Sequence, residues 1–224
     1  MIAIEIFEVL GPIMVGPSSS HTAGAVKIGY IARKLLGEPP LKAEILLHGS
    51  FEATGVGHGT DRALVAGLLG MSPDDMRIPD SFEIAKNNNL DISIGTINLK
   101  DVHPNTAVLK ILGKSNRSLE VVASSVGGGA IKICKIDGLE ANFTGSNPTL
   151  IIHNIDQPGH VAAVTSALCD KGINIATMKL YRDKRGGYAV MVIETDQNIP
   201  PESIKWLENL EGVMKVTYLN LEDN

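Results

Sequence analysis

Thr149–Gly172, TLIIHNIDQPGHVAAVTSALCDKG, is the stretch from which the fold of the C-terminal part can be written down. Thr149–His153 reads as a strand, and Asn154–Gly159 is a polar loop closed by Pro158-Gly159. Val161, Val164 and Leu168 recur three and four apart, as one face of a helix requires, and Gly172 stops that helix. Downstream, Ile173–Arg182 and Tyr188–Thr195 alternate as strands around the turn Asp183–Gly187. Pro200-Pro201 then open a helix containing Trp206 and Leu210, and Val213–Leu219 closes as a strand. The order βαββαβ is the split-βαβ, ferredoxin-like arrangement.

Upstream, Thr144-Gly145-Ser146-Asn147-Pro148 has the composition of a linker, which divides the chain into residues 1–145 and 149–224. The first part reads as mixed α/β, so the fold class is α/β (α+β) with two domains. Residues 1–15 carry a short apolar start, with Gly11-Pro12 leading into a loop. A helix carrying Ile28, Ile31 and Leu35 ends at Gly37 and Pro39-Pro40. KAEILLHGSF follows as a half-buried strand through Ala43, Ile45 and Leu47. Residues 54–61 form a Gly-rich loop, with Thr60 placed to cap the helix through Leu64 and Leu68. Residues 71–89 read as a turn-rich surface excursion. Strands return at Leu90–Gly95, Leu119–Ala123, Ala130–Ile136 and Leu139–Phe143, the last two joined by the hairpin signal Asp137-Gly138.

With 224 residues, 44% hydrophobic and 20% charged, the composition is that of an ordinary globular protein. A net charge of −5 without a basic run argues against nucleic acid. No apolar run approaches the roughly 20 residues that span a bilayer, and the start lacks signal-peptide character, so no membrane and a cytoplasmic location are expected. Cys134 and Cys169 are the two cysteines, read as reduced and buried. Two thiols cannot supply a four-cysteine cluster or zinc site.

The chemistry gathers in polar clusters. Gly16–Gly24, GPSSSHTAG, sets Ser18, Ser19, Ser20 and Thr22 before a helix, where hydroxyls and unpaired N–H groups either cap the helix or hold a carboxylate or phosphate. His21 adds a titratable group beside them. His58 sits between glycines in GVGHGTD, either as a surface turn residue or as an accessible acid–base group, followed by Thr60 and Asp61. Asp61 either orients a histidine or pairs within its helix start. Neither a Walker loop nor a G-x-G-x-x-G fingerprint is present. His103, Asn105 and Thr106 form a third cluster around Pro104, and Ser124–Gly129, SSVGGG, a fourth.

GPSSSHTAG, GVGHGTD, HPNTA and SVGGG in this order, followed by a βαββαβ module, resemble the β chain of bacterial iron–sulfur-dependent L-serine dehydratases over the whole chain. The C-terminal module resembles an ACT domain, with DQPGH at Asp156–His160 as its ligand-side loop. The resemblance implies a [4Fe–4S] cluster held by a separate α chain, one cluster iron acting as Lewis acid on the hydroxyl of L-serine, and deamination to pyruvate and ammonia without pyridoxal phosphate. It makes His58 the first choice for the base that removes the α-proton, and His21 the second. Ser18, Ser19, Ser20, Thr22, Thr60 and Asp61 are implied on the substrate side, and His103, Asn105 and Thr106 would line the same cavity. Asp156, Pro158, Gly159 and His160 would bind an amino-acid effector, and the ACT module would pair the chain as a homodimer. His48 could be structural, and His153 and His160 belong to the second domain. An amino-acid sensor without turnover and a plain scaffold are the alternatives.

Overall fold

The computed structural model describes residues 13–220; the apolar start and the Gly11-Pro12 step lie outside the described residues. Internal contacts divide the chain between Asp137 and Gly138, so the strand Leu139–Phe143 and the TGSNP turn go with the second unit.

In the first unit, helix α1 (Ala25–Leu36) buries Ile28, Ile31 and Leu35, the face that their spacing defines. Gly37 ends it in the left-handed region at φ +82°, its N–H returning to Arg33 O. Strand β1 (Pro40–Gly49) turns Ala43, Ile45 and Leu47 inward. On its other face Glu44 lies opposite Lys110 and meets it at 3.1 Å, a half-exposed cross-strand pair contributing a few tenths of a kcal/mol at about the level of surface ion pairs.

The segment expected as a Gly-rich loop is helical. Helix α2 (Ser50–His58) runs through Gly55 and Gly57, and α3 (Thr60–Leu68) follows after Gly59 at φ +69°. Packing overrides propensity there. Gly55 is buried against Leu47, whose Cδ1 would lie 3.2 Å from an added Cβ, and Thr54 Oγ1 bonds back to Ser50 O. Thr60 is the first residue of α3 rather than its cap; Gly59 holds the N-cap position without a side-chain bond.

The expected excursion at 71–89 also contains order. A 3₁₀ turn (Ile78–Asp80) leads into helix α4 (Ser81–Asn87), anchored by buried Ile78, Ser81 and Ala85 and by Ser81 Oγ on Arg62 O. The turn residues Pro79 and Asp80 thus start a helix. Strands β2 (Asp91–Thr96), β3 (Asn105–Gly113), β4 (Ser118–Gly127) and β5 (Ala130–Ile136) follow. The order in the first unit's sheet is β2-β1-β3-β4-β5, with β1 and β2 parallel and the other pairs antiparallel. Strand β3 begins at Asn105 itself and buries Thr106 through Leu109 without alternation, which is why no period of two marks it.

In the second unit, β6 (Leu139–Phe143) precedes β7 (Thr149–Ile155), α5 (His160–Cys169), β8 (Ile175–Arg182), β9 (Tyr188–Thr195), α6 (Pro201–Glu208) and β10 (Val213–Leu219). The antiparallel order β10-β7-β9-β8 is that of a ferredoxin-like module. Leu150, Ile152, Val164, Leu168, Met191, Ile193 and Leu207 form its core, each buried side chain stabilising by about 1.5–3 kcal/mol before entropy is counted. Leu210 lies beyond the end of α6 but still packs on this core.

Both cysteines are free, yet neither is buried as expected: Cys134 is half-exposed and Cys169 exposed. Cys169 ends α5 on its solvent side, and Cys134 Sγ lies 3.6 Å from Ser124 Oγ. Among the described residues, no helix is long and apolar enough to cross a membrane.

Candidate active site

The GPSSSHTAG stretch folds as a single π-helical turn, Ser19–Gly24, that leads directly into α1. Ser18 caps it: its hydroxyl accepts the His21 N–H at 3.2 Å. The wide turn buries His21, Thr22, Ala23 and Gly24. Gly24 is required by close approach, since a Cβ there would fall 2.1 Å from Ser125 Oγ. The capping expected from the serines is therefore present, and it serves to hold a histidine inside the fold.

His21 is 9% exposed. Its Nδ1 lies 3.3 Å from Ser18 Oγ and its Nε2 lies 3.2 Å from Ser50 Oγ. The ring stands edge-on to Phe51 at 5.3 Å and to His58 at 5.0 Å between centroids. Burial first, and the nearby charge of His58 second, hold His21 below the usual histidine range. It is the neutral imidazole that this pocket favours. His58, the last residue of α2, is exposed, so the pair consists of one sheltered ring and one open to solvent.

Protonating His21 on acidification therefore opposes folding, because the unfolded state takes up the proton more readily. This stability is fully present above about pH 6.5, the ordinary histidine value, and is lost as pH falls through the lowered folded value. Urea denaturation between pH 7.5 and 5 should show that acid loss in the wild type and a flatter dependence in His21→Gln. Parallel pH curves for the two proteins would refute it.

Of the other nominated residues, Ser19 and Ser20 are half-buried on the turn. Thr22 and Thr60 are buried, and their hydroxyls lack partners among the described residues, as does that of Ser125. The three stand on the π-helical turn, on α3 and on β4, the turn packing against each of the other two. Each unpaired buried hydroxyl costs about 1–3 kcal/mol. Asp61 receives the N–H of Arg62 within its own helix start. Ser50 N–H donates to Pro104 O at 2.8 Å, which draws the His103–Thr106 cluster to the same end of the sheet. There Asn105 lies opposite Gly49 in the β1–β3 register. Thr106 is buried, its hydroxyl committed to His103 O and Ser124 Oγ, while His103 is exposed and accepts the Asn105 N–H. His48 accepts the Leu99 N–H and ties the chain after β2 to β1, a structural role.

Ser50 and Phe51 were not singled out by the sequence. The one signal was Gly49 before them: its φ of +60° makes the sharp strand-to-helix step that turns Ser50 toward His21.

In the second unit, Asp156 accepts Arg182 Nη1 at 2.8 Å and Gly186 N–H at 3.1 Å. The Gly186 bond first and Arg182 second keep its carboxyl below the usual range. His160 reaches Glu211 O through Nε2 at 2.7 Å and Asn154 Nδ2 through Nδ1 at 3.1 Å, clamping the loop to the start of β10. Gly159, N-cap of α5, has φ +102° and open space where a side chain would stand. A groove of about 610 Å³ lies elsewhere, between α5 and α6, walled by Ala163, Ala167 and Trp206.

The chain thus joins an α/β unit with a sheltered histidine among hydroxyls to a ferredoxin-like module. The family model for the serine dehydratase beta chain matches residues 4–88, and that for the ACT domain matches residues 149–212. The chain is 39% identical over 213 residues to the probable L-serine dehydratase beta chain of Bacillus subtilis, covering 95% of this chain and 96% of that one. It is 42% identical over 200 residues to the L-serine dehydratase beta chain of Peptoniphilus asaccharolyticus, covering 89% and 90%. A D-3-phosphoglycerate dehydrogenase of Methanocaldococcus jannaschii is 28% identical over 88% of this chain, within 37% of its own length. The chain belongs to the L-serine dehydratase beta-chain family, and it is a lyase chain.

Proposed function

We propose that the chain works as the β subunit of a cytoplasmic, iron–sulfur-dependent L-serine dehydratase, converting L-serine to pyruvate and ammonia together with an α chain. The observation that carries this is the pair of histidine rings 5.0 Å apart, one buried and held by that burial below the usual histidine range, one open to solvent. His58 takes the α-proton of L-serine on a ring nitrogen. His21 stays uncharged behind it, so that a proton arriving on His58 meets no second positive charge. Ser19 and Ser20, half-buried on the turn, bind the substrate carboxylate, with Ser18 holding His21 and buried Thr22 behind them, while Thr60, Asp61, His103, Asn105 and Thr106 shape the surroundings.

A [4Fe–4S] cluster does not fit the donors of this chain. Cys134 and Cys169 belong to different units, and among the described residues no three His, Cys, Asp or Glu side chains gather as metal ligands would. The cluster is assigned to the α chain, with no pyridoxal phosphate. Purified alone in air, the β chain should be colourless and carry far less than stoichiometric iron; a charge-transfer band with stoichiometric iron would defeat the assignment. Anaerobic co-expression with a candidate α chain, followed by a pyruvate-release assay, tests the activity. Turnover by the α chain alone at the same rate would remove the β chain from the reaction.

We propose a second role beside this one, carried by the ACT module that the family model matches at residues 149–212. L-serine binds the ACT module as effector at Asp156–His160, and the module pairs two copies of the chain. Asp156 and His160 are held by Arg182 and Glu211, which leaves the backbone N–H groups beyond Gly159, at the start of α5, for a carboxylate. Calorimetric titration of the whole chain with L-serine should give binding that Gly159→Leu abolishes while circular dichroism stays unchanged. Absence of heat at millimolar L-serine would exclude this effector.

A further inference from the structure

Each ring nitrogen of His21 faces a serine hydroxyl. Ser18 Oγ accepts the His21 backbone N–H at 3.2 Å and keeps a proton that it can donate to Nδ1 at 3.3 Å. In the tautomer with Nδ1 accepting, the neutral ring carries its proton on Nε2 and donates it to Ser50 Oγ at 3.2 Å. Ser50 is itself pinned. Its N–H donates to Pro104 O at 2.8 Å, its carbonyl accepts Thr54 Oγ1 at 2.7 Å, and Gly49 at φ +60° fixes the direction from which it enters α2. Phe51, the next residue, meets the edge of the same ring.

We infer that Ser50 is a positioning residue for the histidine pair: it fixes the tautomer and the plane of His21, and through that ring the stance of His58. The inference rests on the dehydratase reading above for its kinetic arm only. Ser50 lies outside the serine-rich and Gly-His-Gly stretches, in HGSFE at residues 48–52, and its place beside His21 arises because β1 ends where the π-helical turn begins to bury its ring. Without the Ser50 hydroxyl, a buried Nε2–H has no partner, so the ring turns or shifts its proton to Nδ1.

Two measurements test this. Long-range ¹H–¹⁵N spectra of the intact chain should show His21 as the Nε2–H tautomer in the wild type, mixed in Ser50→Ala and restored in Ser50→Thr. In the assembled enzyme Ser50→Ala should lower kcat about tenfold, equivalent to about 1.4 kcal/mol of barrier, with KM within about twofold, and Ser50→Thr should recover most of it. An Nδ1–H tautomer in the wild type overturns the inference, and that measurement needs no variant to fold. A rise in KM with kcat unchanged also overturns it, since Ser50 would then be a substrate contact. The tautomer change in an assembly that releases no pyruvate would support the positioning role and sink the dehydratase reading instead.

Discussion

His58→Ala is expected to lower kcat of the assembled enzyme by about a hundredfold to ten-thousandfold, the usual cost of removing a general base, while assembly and folding persist. The structural ground is the exposure of His58 at the end of α2, where its side chain supports no core. His21→Ala makes the informative comparison. That ring is 9% exposed and is held by Ser18, Ser50, Phe51 and His58. Its loss should therefore reduce both activity and stability, and the urea midpoint should fall in His21→Ala but not in His58→Ala. Near-normal turnover in His58→Ala, beside a dead but well-folded His21→Ala, would transfer the base to His21. Exposure alone argues against that outcome, because both ring nitrogens of His21 are already engaged by hydroxyls.

What could be read in advance depended on how locally each feature was encoded. The second unit was legible almost to the residue, because α5 carries Val164 and Leu168 at helical spacing and glycine or proline punctuates every junction; the alternation expected of Tyr188–Thr195 is absent, since β9 is buried from Ala189 to Thr195. The helices at 50–58 and 81–87 were missed for the converse reason. Gly55 and Gly57 have poor helix propensity, and α2 exists because Phe51 is buried and Gly55 fits against Leu47. The site was half legible. Composition singled out the hydroxyl-rich turn and both histidines. That His21 faces inward and His58 outward depends on the π-helical turn and on α2, neither of which has a sequence period. Ser50 was invisible for the same reason: its partner stands 29 residues away in the chain.

The distance between the two histidines depends in turn on a helix crossing made of glycine. Helix α1 continues from the turn that holds His21, and α3 begins two residues after His58; the two helices touch backbone to backbone at Gly29 and Gly67. A Cβ on Gly67 would fall 2.0 Å from Val26 O and 2.6 Å from Tyr30 N, and one on Gly29 would fall 2.2 Å from Leu64 O. These neighbours are main-chain atoms, so no rotamer change can relieve the overlap, and the helices must part. Alanine gains about 1 kcal/mol over glycine in helix propensity, but forcing extra volume into a packed contact costs about 1–3 kcal/mol and more where backbone must move. Overlap wins. Gly67→Ala should therefore lower the urea midpoint at an unchanged m-value, by an amount corresponding to about 3 kcal/mol. It should also reduce pyruvate release in whatever fraction remains folded, because moving α1 away from α3 separates His21 from His58. Gly57→Ala is the control: it lies in α2 with nothing within 4 Å of an added Cβ, and it should leave stability unchanged or raise it by up to about 1 kcal/mol. If Gly67→Ala matched Gly57→Ala in stability, the two helices would not cross at that distance, and the histidine pair would need another support.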